Sequence, residues 1–279
     1  MTVIAHLSDL HLSPVPFPAE WPWRLKPVLG WINWRRQPGA HDNAVWERTA
    51  AAVLAASPHF AVVTGDLIEL GLSEEYGRAA AALARLGDPE AVSWAPGNHD
   101  AYTTDTTARI RERLFRWLGP AQAPGDLRAH FPRLDLVGRA AVITLCSGTP
   151  TWTFSAEGAL GPAQLARLDI LLAGIDRTAH LPVIAVHHPP AAEGLSRLKR
   201  LRDGEALLHL LARHRCPLVL HGHLHEARRH EWTAFGHRIA LIGAPSASAT
   251  GRHGEDGPAF NLVTIAPDLT WRVETRAVT

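Results

Sequence analysis

Cysteine is scarce: Cys146 and Cys216 are the only two in 279 residues. That is too few for a disulfide framework. Both sit at the edges of apolar runs, where a buried free thiol is expected. No run of eighteen apolar residues occurs, so a membrane-spanning helix is excluded. The opening MTVIAHLSDLHLS lacks the basic and apolar stretches of a secretory signal, and the expected compartment is the cytoplasm. An excess of either charge is lacking too, since 28 Lys and Arg face 27 Asp and Glu, a formal net charge of +1. No global field draws the chain toward nucleic acid or an acidic membrane. With 46% apolar residues the chain is not of the disordered class. Its length suits one large α/β domain, expected to span 1–279.

Histidine, by contrast, is abundant, at 17 residues. Imidazole is the commonest side-chain ligand for transition metals and the usual acid or base near pH 7. Position has to decide which of the 17 carry chemistry.

Short apolar runs alternate with helical patterns along most of the chain. Strands are expected at 2–7, 60–64, 92–95, 139–145, 182–186 and 217–220, and helices at 43–56, 73–86, 104–118, 162–173 and 203–214. Asn43 and Ser73 are the expected N-caps, with Glu74 and Glu75 as charges on a first turn. Beyond Arg228 the pattern turns to strands alone, at 229–234, 238–242, 259–264 and 270–275. Alternating β and α units with a β-rich end suggest sheets packed between helical layers.

One segment breaks the pattern. A Trp- and Pro-rich insertion at about 14–38 holds Trp21, Trp23, Trp31 and Trp34 and ends in Arg35 and Arg36. It reads as a loop with one short helix, and loops of this length in compact domains are usually functional. A lid or substrate wall is the first expectation, a contact in a homo-oligomer the second, and a membrane-interface contact the last.

Five motifs each follow an apolar strand: Asp9-Leu10-His11, Gly65-Asp66, Gly97-Asn98-His99-Asp100, His187-His188-Pro189 and Gly222-His223-Leu224-His225. Ligands and catalytic groups collect at the carboxyl ends of strands in open α/β folds. Five such ends carrying O and N donors point to one shared site. In a strand-like D-x-H the side chains at i and i+2 face the same way, so Asp9 and His11 can grip one ion. No cysteine belongs to the set, which argues against a structural zinc site.

The order of these motifs resembles the calcineurin-like metallophosphoesterase superfamily, and within it most closely the bacterial class III cyclic-nucleotide and glycerophosphodiester phosphodiesterases. The resemblance runs from Ile4 to about Ile242. It implies an α/β fold, a four-layer αββα sandwich of two mixed β-sheets flanked by helices. It also implies two divalent metal ions (Mn, Fe, Zn or Co). Asp9, His11 and His225 would hold the first metal, Asn98, His187 and His223 the second, and Asp66 would bridge them. His188 is then outside the ligand set. A bridging hydroxide would attack the phosphorus, with no side-chain nucleophile required. His99 would stabilise the phosphoryl group or protonate the leaving oxygen, and Asp100 would hydrogen-bond and orient that imidazole.

Phosphoprotein phosphatases of the superfamily carry arginine after their GD and GNH motifs; here Leu67-Ile68-Glu69 and Ala101-Tyr102 stand there. The missing guanidinium favours a small phosphodiester substrate. Lipid-linked pyrophosphate hydrolases of the pattern read GNRD, which His99 opposes, and a nuclease needs a basic groove that balanced charge does not supply. A non-catalytic scaffold would normally have lost a ligand or His99, and none is lost. The basic run Arg197–Arg202 reads as a solvated approach to a helix, with a substrate-attracting rim as the alternative.

Overall fold

The computed structural model describes residues 1–17, 25–120, 126–252 and 256–279. Pro18, Trp21, Pro22 and Trp23 of the insertion lie outside the described residues.

Two mixed sheets face each other. The first is built on β1 (Thr2–Leu7), β2 (Phe60–Val63) and β3 (Val92–Trp94), which run parallel. Two late strands extend its other edge. In the second sheet β5 (Ala140–Thr144), β6 (Leu181–Ala185), β7 (Leu218–His221) and β9 (His237–Gly243) run parallel. Antiparallel edges close it, β4 (Arg133–Val137) beside β5 and β8 (Arg229–Ala234) beside β9. The late strands β10 (Ala259–Ile265) and β11 (Trp271–Ala277) continue the first sheet antiparallel from β1.

Side chains alternate along a strand, so each central strand serves two cores. Ile4, Phe60 and Val62 point inward and meet Val142, Val183, Leu218 and Leu220 of the opposite sheet. Ala5, Leu7, Ala61 and Val63 point outward and pack under α2 (Asn43–Ala55) and α3 (Ser73–Leu86), where Trp46, Tyr76 and Leu83 cover them. On the far side Ile143, Ile184 and Val219 lie beneath α5 (Pro162–Ala173) and α6 (Gly204–Arg213) through Leu168, Leu172, Leu207 and Leu211. The layers are therefore helix, sheet, sheet, helix, as expected. Cys146 and Cys216 are buried and unpaired. Among the described residues no helix is long and apolar enough to cross a membrane.

Several local expectations are corrected. Asp42, not Asn43, caps α2, and Asn43 instead bonds the backbone of Ser13. Leu72 occupies the N-cap position of α3; the Glu75 carboxylate, fully buried, accepts from the backbone N–H groups of Glu69, Leu70 and Leu72. It is thus a loop organiser and not an exposed helix charge. The expected helix 104–118 shortens to α4 (Thr106–Arg113) and a 3₁₀ turn at Phe115–Trp117. The sequence pattern missed β4, whose charged, half-exposed alternation marks a sheet edge.

The insertion contains α1 (Leu25–Arg35), which docks firmly. Lys26 donates to the carbonyls of Tyr102 and Thr151, and Trp31 and Trp34 pack against Val15, Leu70 and Leu72.

His6 lies wholly buried in β1, between Thr64 Oγ1 and Asn261 Nδ2. Burial, then the neighbouring His221, pushes its pKa from 6.5 down to about 3. The unfolded imidazole takes up its proton near 6.5 and the folded one only near 3. Stability is therefore full above that window and is lost as pH falls through it, by about 1.4 kcal/mol per pH unit for one such group. Urea unfolding of the metal-free protein at stepped pH is expected to show a shallower slope for His6→Asn. An unchanged slope contradicts this account.

Candidate metal centre

The parallel strands β1, β2 and β3 of one sheet and β6 and β7 of the other all end at the same edge. Each hands its chain to one of the five motifs. The loops are laced together: Asp9 N–H donates to Gly65 O at 3.0 Å, His11 N–H to Asp66 O at 3.0 Å, and Gly222 N–H to His187 O at 3.0 Å. His223 N–H also donates to Asp9 Oδ2 at 3.0 Å, which joins residues more than two hundred positions apart in sequence.

The backbone here is strained. Asp9, His11, Asp66, His223 and His225 all have positive φ, between 41° and 72°. Non-glycine residues seldom adopt this region, and such strain concentrates where a site demands a particular aim. The strand-like geometry expected for Asp9-Leu10-His11 is corrected accordingly: β1 ends at Leu7, and two left-handed residues turn both side chains into the site.

All seven residues expected as ligands come together. His225 Nε2 lies 3.4 Å from Asp9 Oδ1, and 3.3 Å from His11 Nε2. His187 Nε2 lies 3.2 Å from Asn98 Oδ1, 3.2 Å from His223 Nδ1 and 3.1 Å from Asp66 Oδ2. Asp66 also falls within one donor cluster with Asp9 and His11, so it stands between the two groups.

The donors fit cations. Ligands at about 2.1 Å from a metal stand roughly 3.0–3.4 Å from each other, which is the spacing seen. Asp9 Oδ1 and His223 Nε2 are buried without any hydrogen-bond partner. An orphaned buried carboxylate oxygen is costly unless something positive faces it. The imidazoles are also set for ligation. His187 donates from Nδ1 to Thr64 O at 2.6 Å, and His11 Nδ1 faces Glu69 Oε2 at 2.8 Å, which leaves each Nε2 aimed inward.

Electrostatics agree. Burial works to raise the Asp66 carboxyl, but His187 and His99 beside it hold it well below the usual carboxylate range. Burial works to lower His187, but the Asp66 charge outweighs it and raises the imidazole to about 9 in the cation-free site. Metal uptake here must displace that proton.

His188, expected outside the ligand set, has both ring nitrogens engaged. Its Nδ1 meets Ser147 Oγ at 2.8 Å and its Nε2 the Ala156 carbonyl at 3.1 Å, so neither nitrogen is free. Burial, then the charge of His187, drives it down to about 3.

The expected pairing of His99 with Asp100 is corrected. Asp100 accepts from the backbone N–H groups of Asp66 (2.8 Å), Leu67 (2.9 Å) and Gly97 (2.9 Å) and from the Trp94 indole (3.2 Å). It pins two ligand loops together and leaves His99 to another partner. His99 Nδ1 instead donates to the Glu69 carbonyl at 2.6 Å, with the Glu69 carboxylate 3.8 Å away.

Glu69 was not singled out by sequence. It serves both His11 and His99. Burial works to raise its carboxyl, but His99 and His11 outweigh this and hold it at about 2. A glutamate three residues past Gly-Asp carries no distinctive spacing; the fold alone brings it back over the site.

The site opens into a cavity of about 420 Å³. Asn33, Trp34 and Gln37 from the insertion form one wall, and Lys199 and Leu224 lie on the rim. Three residues of the insertion thus line the same cavity as His11, Asp66, Asn98, His223 and His225. Of the basic run, Lys199 alone reaches this cavity among the described residues, while Arg200 bonds Leu195 O and Arg202 pairs with Glu157.

Gly222 leaves no room for a side chain: a Cβ there would collide with Ser8 Oγ and lie 2.6 Å from Asp9 Oδ2. Gly222→Ala is expected to cost about 1–3 kcal/mol by overpacking. Since the pressure falls on Asp9, retained metal should drop as well, read by elemental analysis beside a thermal melt. Unchanged metal content would contradict the tight fit.

The family model for calcineurin-like phosphoesterases matches residues 2–227. A protein of Synechococcus sp. (strain WH7803), described as a probable cyclic nucleotide phosphodiesterase, is 27% identical over 222 residues, covering 75% of this chain and 74% of its own. The crystal structure of a dimetal phosphatase from Danio rerio superposes with a TM-score of 0.67 at 16% identity, covering 100% of this chain and 96% of that one. A purple acid phosphatase from yellow lupin superposes with a TM-score of 0.58 at 13% identity, covering 99% of this chain and 51% of that one. These two likenesses are of fold. With more than three quarters of its length matched by the family model, the chain belongs to the calcineurin-like phosphoesterase family.

Proposed function

We propose that the protein is a phosphodiesterase that hydrolyses small phosphodiesters, of cyclic-nucleotide or glycerophosphodiester type, at a pair of divalent cations. The observation that carries this is the convergence of seven O and N donors in two adjoining groups, with Asp9 Oδ1 buried and without a hydrogen-bond partner in the first. Asp9, His11 and His225 would hold one cation, Asn98, His187 and His223 the other, with Asp66 shared. When bound, two such cations supply charge for the phosphoryl oxygens and lower the pKa of a water between them.

The chain's own residues do the rest. Glu69 fixes His11 and His99 at once, so the metal motif and the proton-transfer group share one anchor. With Nδ1 committed to a carbonyl, His99 presents Nε2 to the leaving oxygen as general acid. Asp100 acts as a positioning residue, holding the Asp66 and Asn98 loops in register.

The diester preference is supported by the cavity lining. No arginine is among the described lining residues, and Lys199 is the one lysine among them. A dianionic monoester is ordinarily gripped by a guanidinium fork, whereas a monoanionic diester needs less charge. The name of the Synechococcus relative supports the same reading. Two unpaired buried thiols suit the cytoplasm, which we take as its compartment.

The test is hydrolysis by the metal-reconstituted protein of bis(p-nitrophenyl) phosphate, p-nitrophenyl phosphate and a phosphonate monoester. Preference for the diester is expected and justifies a screen of cyclic nucleotides and glycerophosphodiesters. Preference for the monoester overturns the substrate reading.

A further inference from the structure

His41 lies at the edge of the insertion, outside the five motifs, yet one of its ring nitrogens falls within 4.8 Å of donor nitrogens on His11 and His225. Its ring centroid is 4.5 Å from that of His11 and 5.4 Å from that of His225. We propose that His41 is a further ligand of the cation held by Asp9, His11 and His225. The inference rests on the two-cation reading above.

Counting hydrogens settles which nitrogen of His41 is available. Ser246 Oγ donates to the Asp9 carbonyl at 2.6 Å, and Ser248 Oγ donates to the Leu10 carbonyl at 2.5 Å. A hydroxyl has a single hydrogen, and both are spent. Toward His41 Nδ1, at 3.2 Å and 3.0 Å, these two oxygens can only accept. Nδ1 therefore carries the ring hydrogen and Nε2 the lone pair, which is the tautomer that binds a metal. His11 and His187 show the same arrangement, Nδ1 against an oxygen and Nε2 left over.

The position is built. His41 pairs in an isolated antiparallel bridge with Ala249, and Asp42 N–H donates to Ser248 O at 3.0 Å. The two serines that orient the imidazole also grip the backbone of Asp9 and Leu10, so they set His41 and the first metal motif together. His188 shows the contrast. It sits in an equally close histidine cluster, but both its nitrogens are occupied and it has nothing to give.

The consequence is an unequal pair of sites. One would have three imidazoles with Asp9 and Asp66, and the other two imidazoles with the Asn98 amide oxygen and Asp66. The nitrogen-rich site should hold its cation more tightly and favour zinc, cobalt or nickel over magnesium or manganese.

The test titrates metal-free wild type and His41→Ala with Zn²⁺ by calorimetry and with Co²⁺ by visible absorption. Wild type is expected to take up two ions per chain with unequal affinities. His41→Ala should weaken the tighter one by roughly ten- to a hundredfold and change the Co²⁺ spectrum. Unchanged affinities and spectrum overturn the inference. A wild type that binds no cation overturns the underlying reading of the site instead. Ser246→Ala/Ser248→Ala keeps the imidazole and removes its acceptors, so the test stands even if His41→Ala does not fold. The double variant should also weaken the tighter site, and full affinity there contradicts the proposal.

Discussion

Asp66→Asn is expected to reduce hydrolysis by roughly three orders of magnitude or more, because the electrostatic support for the phosphoryl group is worth several kcal/mol. The substitution keeps the volume and deletes the charge. It also places either an amide oxygen or an NH₂ group where Oδ2 now faces His187 Nε2 at 3.1 Å. Since Asp66 stands between the two donor groups, elemental analysis should show metal falling below two ions per chain. Full metal content with full activity would remove Asp66 from the shared position. Folding should survive, since the backbone N–H of residue 66 still reaches Asp100.

The second large effect is expected for His99→Ala. Loss of a positioned general acid typically lowers kcat by about 10²–10⁴-fold. His99 contributes its backbone N–H to Asp66 Oδ1 at 2.9 Å, and alanine keeps that bond. Both cations should therefore stay, so activity falls while metal does not. Loss of metal together with activity would mean that His99 is itself a ligand. Substrates with a p-nitrophenol leaving group need little protonation and should suffer less than alkyl esters, which separates proton transfer from mere crowding of the site.

The donor residues were legible because each stands two to four residues past an apolar strand, and strand ends gather where parallel strands share a direction. Asn98, His187 and His225 needed no knowledge of contacts to be singled out. The connections behind them were not legible. Asp100 looked like a partner for His99 because it is adjacent in sequence, but its carboxylate collects the backbone donors of Asp66 and Leu67, which only folding brings to it, beside those of Gly97 and the Trp94 indole. Glu69 and His41 escaped for the same reason: neither sits in a motif, and each reaches the site through a loop whose path depends on tertiary packing. The caps failed more locally. Asp42 outcompetes Asn43 for α2, while at α3 a side chain three residues in, Glu75, does the work expected of Ser73. The edge strand β4 escaped because charge and partial exposure dilute its alternation.

The left-handed backbone of Asp9, His11, Asp66, His223 and His225 has a consequence for how the molecule opens. Each such residue stores on the order of 1 kcal/mol, held in place by loop hydrogen bonds and by whatever the donors grip. When a chelator takes the cations away, that stored energy favours release of this edge before the interior of either sheet yields. Amide hydrogens of the five loops would then exchange with solvent by local opening, while those of β5 and β6 wait for global unfolding. Chelated protein would thus be cut by proteases first at the mouth of the site, and its metal content would bear on how long the chain survives as well as on its chemistry.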